Sequence, residues 1–233
     1  MKNTRATTAG CVLAAAALML APEILPASGS GGGASMSLPQ PQRQQLTPEQ
    51  EAVVLYNDGI SYRDKAAKLE KESETETDAG KRQKLEAKAR DKHEDSIKKF
   101  TKATEKNAAM FQAWGALGYA YRKVGNYNAS LTAYGKAIEI QPNFTPAIEY
   151  RAEAYLGLNQ LDQVKAVYMQ LFTMDRPRAD ELSAAIDKWL EKRKTDPAGM
   201  DPAQLQEFSA WAAQRKQLAS QVSSLTAPKN ERW

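Results

Sequence analysis

One histidine, one cysteine and a dense set of carboxylates are what this sequence offers to catalysis. His93 lies in RDKHEDS beside Asp91, Glu94 and Asp95, residue types that move protons when they are buried and close together. The stretch around it is strongly charged, so His93 is expected to be an exposed helical residue. Between Arg63 and Asp95, 10 Lys or Arg stand with 10 Asp or Glu, and burial that would tune a carboxylate there is not expected. A zinc site of His and Cys ligands cannot be built from a single histidine. Gly31 to Gly33 are the nearest approach to a phosphate-cradling loop, and they belong to a Gly, Ser and Pro-rich segment. The chain is therefore expected to be no enzyme, with no cofactor and no metal, and its function has to be sought in binding.

Cys11 belongs to an N-terminal segment with a different purpose. Lys2 and Arg5 make a short basic start, GCVLAAAALMLAPEIL follows, and Pro26 and small residues end it. That order reads as a secretory signal peptide over 1–29, with cleavage after Ala27 or Gly29. The apolar run is too short, and too broken by Pro22 and Glu23, to span a bilayer. TAGC at Thr8 to Cys11 resembles a lipoprotein box, but a lipobox follows the apolar run and here the run follows Cys11. Export to the bacterial periplasm or medium is expected, without acylation and with no cysteine left in the mature chain. Residues 30–46 read as a disordered tether.

The chain has 233 residues, 42% hydrophobic and 26% charged, with a formal charge of +4. That is ordinary globular content, and the small positive excess does not by itself point to nucleic acid. The organising signal is a helical hairpin. Trp114, Leu117, Gly118 and Tyr121 share one helical face. VGNY at Val124 to Tyr127 breaks the helix. Ser130, Tyr134 and Ala137 mark a second helix, which Pro142 ends. Small residues at 118, 130 and 137 let two backbones approach, and the aromatics fill the remaining space.

The hairpin recurs at a period of 34: Gly118 maps to Ala152, Tyr121 to Tyr155, Tyr134 to Tyr168 and Gly125 to Asn159. Backward, Ser130 maps to Ser96, Tyr134 to Phe100 and Ala137 to Ala103. The pattern W-x2-L-G-x2-Y, then a small residue, an aromatic and Pro, resembles the tetratricopeptide repeat (TPR) family. The resemblance implies an all-α, right-handed TPR-type alpha solenoid of about three hairpins over 47–178. The middle repeat, 111–144, fits at nearly every position. The third, 145–178, is looser, with Ile148, Arg151 and Arg176 in place of Trp, Leu and Pro. The first, 52–110, is split: Leu55, Gly59 and Tyr62 stand 59 residues before Trp114, Gly118 and Tyr121, so an insertion of about 25 residues occupies 66–90. Both helices of that repeat are expected to run on as an antiparallel pair turning at Thr77 to Gly80, with Leu69 and Leu85 in its seam. It is either a solvated charged spike or a docking arm.

Capping helices are expected over 179–226, the first from Asp180 to Lys194 with Leu182, Ile186, Trp189 and Leu190 on one side. The second begins at Pro202, capped by Asp201. Its stripe of Phe208, Trp211, Arg215, Leu218, Val222 and Leu225 either packs back on the solenoid or forms a coiled-coil seam. Residues 227–233 are a tail.

In TPR proteins the first helix of each repeat lines the concave face, so the resemblance says where a partner would sit. The implied peptide-binding residues are Tyr56, Ile60 and Arg63 from the first repeat, Gln112, Tyr119, Arg122 and Lys123 from the second, and Glu149 and Glu153 from the third. Val53, Gly115, Pro146 and Leu156 complete the three stripes. The groove would run from apolar through basic to acidic and suit an extended or helical peptide. Some cytosolic adaptors of the family clamp a terminal carboxylate through Lys and Asn. Tyr56 and Ile60 in the first repeat, and the carboxylates of the third, do not support such a clamp. The expected function is an exported, non-catalytic adaptor for a protein or peptide, in envelope or secretion-machinery assembly. The alternative is a homo-oligomer held by the C-terminal helix or the charged insertion. A binder of anionic polymers is a third reading, against which the even charge of the insertion speaks.

Overall fold

The computed structural model of the chain describes residues 45–226, and side chains to residue 222. The signal segment, Cys11, most of the tether, Leu225 as a side chain and the tail lie outside the described residues. Within them the chain is all helix: α1 (Pro48–Thr75), α2 (Ala79–Lys106), α3 (Phe111–Lys123), α4 (Tyr127–Ile140), α5 (Thr145–Gly157), α6 (Leu161–Met174), α7 (Arg176–Thr195) and α8 (Pro202–Thr226). They stack as an alpha solenoid, each packed on the next. The odd-numbered helices also touch in series, α1 to α3, α3 to α5 and α5 to α7, and so form one continuous inner row.

α1 begins where its sequence says it should. The Thr47 hydroxyl accepts from the Gln50 amide and the Gln50 side chain accepts from the Thr47 amide, a reciprocal cap on two otherwise orphaned donors, with Pro48 in the first turn. α1 and α2 then run antiparallel over their whole length. Their seam is a heptad of small residues, with Ala52, Gly59, Ala66 and Ser73 buried on α1 against Ala89, His93, Ser96, Phe100 and Ala103 on α2. Lys99 Nζ reaches Asp58 at 2.7 Å, and Lys106 pairs with Glu51 near the base. The link between the helices is 76–78, earlier than expected. Asp78 caps α2 through the Lys81 amide at 2.7 Å, and Gly80 is already helical. The insertion also buries more than its charge suggested, because Ala66, Ser73 and Ala89 carry the seam out along it.

The pairing of small residues with aromatics repeats down the solenoid. A β-carbon on Gly118 would stand 2.7 Å from the ring of Tyr134, and Ser130 Oγ donates to the Gly118 carbonyl at 2.8 Å. The turn after α3 needs Gly125 at φ +81°, and the equivalent Asn159 after α5 adopts φ +56°, a conformation Asn tolerates better than most side chains. Ile148, Ala152 and Tyr168 lie in a core that continues through Leu171, Leu182, Ile186 and Trp189 to Phe208. α7 starts at Arg176 and not at Asp180, because Asp175 accepts from the Arg178 amide and caps it. Phe208 stacks on Trp211 at 5.5 Å and meets Trp189 edge-on at 5.8 Å, while Trp211 meets Tyr168 at 5.5 Å. The first half of the α8 stripe therefore packs back on the solenoid, whereas Leu218 is exposed.

Candidate peptide-binding groove

The inner row of α1, α3, α5 and α7 carries a ladder of tyrosines and ion pairs. Tyr119 on α3 and Tyr150 on α5 meet edge to face at 5.6 Å. The Arg122 guanidinium lies over both rings, at 5.3 and 5.2 Å, and pairs with Glu153 on α5 at 2.5 Å. One step along, Arg178 on α7 lies 6.0 Å from the Tyr150 ring and holds both Glu149 and Glu181 at 2.7 Å. Each arginine thus ties α5 to a neighbouring inner helix by a charge pair and by contact with an aromatic face.

At the other end of α3, Lys123 pairs with Glu70 of α1 at 2.8 Å, and Glu70 meets His93 Nε2 at 3.0 Å. His93 is only 1% exposed, and its ring stands edge-on to Tyr119 at 6.1 Å. The expectation of an exposed histidine is corrected. Its spacing from Ala89, Ser96, Phe100 and Ala103 puts it in the seam, and the charged neighbours in sequence point to the other faces of α2. Burial pushes the Glu70 carboxyl up, but the hydrogen bonds and charges of His93 and Lys123 outweigh it and hold the group below the usual range. Glu149 goes the other way. It is 3% exposed, and burial pushes its carboxyl up to about 7 against the Arg178 hydrogen bond, with the Glu153 charge adding to the rise.

Of the residues implied from sequence, Tyr119, Arg122, Glu149 and Glu153 come together in this ladder, with Lys123 at its edge. Tyr56 and Ile60 instead pack half-buried in the cluster of Phe100, Leu117, Ala120 and Ala133, with Tyr56 5.8 Å from Phe100. Arg63 pairs with its neighbour Asp64, and Gln112 is half-exposed at the start of α3. Gly115 and Leu156 are buried, Gly115 against Phe144, so these two do not line the groove. The expected change of charge along the groove is corrected too: the basic and acidic members neutralise each other across α3, α5 and α7. Tyr150, Arg178, Glu70 and His93 are ladder members that the sequence reading missed. Asp175 was the signal for Arg178, because a cap there brings 178 into the first turn of α7.

Chemically, this ladder holds shape and offers aromatic edges. Among the described residues, no group of three His, Cys, Asp or Glu is placed to hold a metal ion, and no helix is long and apolar enough to cross a membrane.

The sequence profile described as "Tetratricopeptide repeat" matches residues 111–144, which are α3, α4 and the turns around them. This segment is similar to a tetratricopeptide repeat. Within the repeat, Trp114 packs half-buried between the clusters around Leu117 and Tyr134, and its Nε1 donates to the Ala108 carbonyl at 2.8 Å. Among solved structures, the chain is similar to the NMR structure of the first TPR domain of the human RPAP3 protein, at 15% identity and a TM-score of 0.44, over 60% of this chain and 96% of that one. No curated protein matches the sequence.

Proposed function

We propose that this protein is an exported, non-catalytic adaptor that holds a protein or peptide segment against the inner row of the solenoid. A tetratricopeptide repeat is a protein-interaction scaffold, and that supports a protein as the partner. The observation that carries the reading is the Tyr119–Tyr150 pair with Arg122 over both rings, aromatic groups fixed in place on the inner row before any partner arrives. Because Arg122, Lys123 and Arg178 already have carboxylate partners, a partner that engages the tyrosines through apolar, aromatic or uncharged polar side chains fits better than a strongly acidic one. Export rests on the N-terminal segment, and a role in envelope or secretion-machinery assembly follows from that location alone.

Photo-crosslinking in living cells tests the reading. A photoreactive residue at Gln112 or Arg63 should capture a distinct protein, and one at Thr132 or Lys136 on the exposed side of α4 should not. Capture from α4 alone would reject the inner row as the binding face. N-terminal sequencing of the exported protein should begin between residues 28 and 35, and an acylated Cys11 as first residue would reject the processing.

A further inference from the structure

Long side chains fasten α8 to α6, and they meet in the same order along both helices. Lys165 Nζ donates to Glu207 at 3.0 Å, Tyr168 meets Trp211 edge-on at 5.5 Å, and Met169 Sδ then faces Arg215 Nη1 at 4.0 Å. The last of these contacts is the weakest, because a thioether is a poor hydrogen-bond acceptor. Past it, Leu218 and Val222 of α8 are exposed.

Arg215 has donors to spare at this point. Its Nε is buried without a hydrogen-bond acceptor, and its Nη2 donates to the neighbouring Gln214 amide oxygen at 3.1 Å. No carboxylate pairs with it among the described residues. Met169 is 44% exposed, so a small reagent reaches its sulfur. An oxygen attached to that sulfur at about 1.5 Å and bent towards Arg215 stands about 3 Å from Nη1, the ordinary N–H···O separation. The methionine's rotatable bonds let either epimer of a sulfoxide present its oxygen there.

We propose that Met169 is a site of reversible oxidation to the sulfoxide, with Arg215 as the donor already in place for the oxygen it gains. The oxidant is hydrogen peroxide. The Sδ lone pair attacks one peroxide oxygen, and the S–O bond forms as the O–O bond breaks. The sulfur loses two electrons. The other oxygen leaves as hydroxide and takes the proton from the transferred oxygen, giving water. Enzymatic reduction by two thiols returns the thioether and releases the oxygen as water. In a core a sulfoxide disrupts packing. Here it replaces a sulfur contact by a charge-assisted hydrogen bond and fastens α8 more firmly to α6. Met174 is exposed to the same degree, but its Sδ accepts from Gln170 on its own helix at 3.5 Å, so oxidation there ties no two helices together.

None of these residues belongs to the tyrosine ladder, so the test needs no groove partner. It is hydrogen exchange of the full chain before and after treatment with hydrogen peroxide, with peptide mass mapping to follow the gain of oxygen at Met169 and Met174. Met169 should be oxidised at the dose that oxidises Met174. The amides of α8 over 213–222 should then exchange roughly 10-fold more slowly, the scale of one hydrogen bond to a charged group. Met169→Leu, a conservative change, should show no such slowing after the same treatment. Arg215→Leu, oxidised at Met169, should show none either. Four results would each overturn the inference: a Met169 that stays reduced while Met174 is oxidised, a wild-type α8 that exchanges as fast or faster after oxidation, slowing that survives in Met169→Leu, or slowing that survives in Arg215→Leu.

Discussion

Gly59 lies so close to Phe100 that a β-carbon on it would stand 2.4 Å from the ring, the same relationship that Gly118 has with Tyr134 at 2.7 Å. The two pairs occupy equivalent places in successive hairpins, although the chain between the first pair is longer by the whole of the inserted spike. The repeat geometry has survived an extension of both its helices because the extension continues their seam and does not interrupt it.

Substitutions at these glycines should therefore act on folding. Gly118→Leu forces a branched side chain into the ring of Tyr134 and should cost about 1–3 kcal/mol or more, as overpacking does. Gly59→Leu should behave alike against Phe100. Thermal melts check both, and a wild-type melting temperature in either variant would contradict the close approach.

Gly125 and Asn159, the left-handed residues of the turns after α3 and α5, should respond differently to the same test. Gly125→Ala and Asn159→Ala each place alanine at positive φ and should cost about 1–2 kcal/mol. Asn159→Gly removes that strain and should be neutral or slightly stabilising. Denaturant midpoints distinguish them, and an Asn159→Gly variant as damaged as Asn159→Ala would mean that the Asn side chain, not its φ, is what the turn needs.

Arg122 is a structural residue as well as a groove residue. Arg122→Glu puts a third carboxylate beside Glu153 and Glu149 and should cost about 3 kcal/mol, the scale of a buried charge left without its partner. The double exchange Arg122→Glu/Glu153→Arg should recover a large part of that loss. A double-mutant cycle on unfolding free energies measures it, and additive losses would mean that the pair is not coupled.

Glu149 makes stability depend on pH. Its folded-state carboxyl titrates near 7, above the ordinary carboxylate value of the unfolded chain, so between those values the folded state holds the extra proton. The stabilisation is fully present below the unfolded value and is lost as pH rises through about 7, at most by about 1.4 kcal/mol per pH unit. Glu149→Gln cannot titrate and should show a flatter profile from about pH 5 to pH 8. Parallel profiles for the two proteins would contradict the raised pKa.

The solenoid was legible in sequence because it is written in backbone-level requirements. A glycine under an aromatic, a left-handed turn residue and an N-cap each demand a residue type at a fixed spacing. The site was less legible. His93 looked exposed because Asp91, Glu94 and Asp95 dominate its neighbourhood, whereas its place is set by the heptad of α2. Tyr150 and Arg178 were missed because their roles depend on how α5 and α7 cross α3, a tertiary relationship that no single helix displays. The apolar-to-basic-to-acidic groove followed from adding side chains helix by helix, and cross-helix pairing removed it.

The central claim is that a partner lies against Tyr119 and Tyr150, and the dissociation constant of the crosslinked partner tests it most directly. Tyr119→Ala and Tyr150→Ala, measured where circular dichroism shows both folded, should each weaken binding by about 2 kcal/mol, roughly 30-fold, as loss of an aromatic anchor does. Lys136→Glu on the exposed side of α4 should leave it unchanged. Unchanged affinity in both tyrosine variants, or a loss confined to Lys136→Glu, would contradict the account.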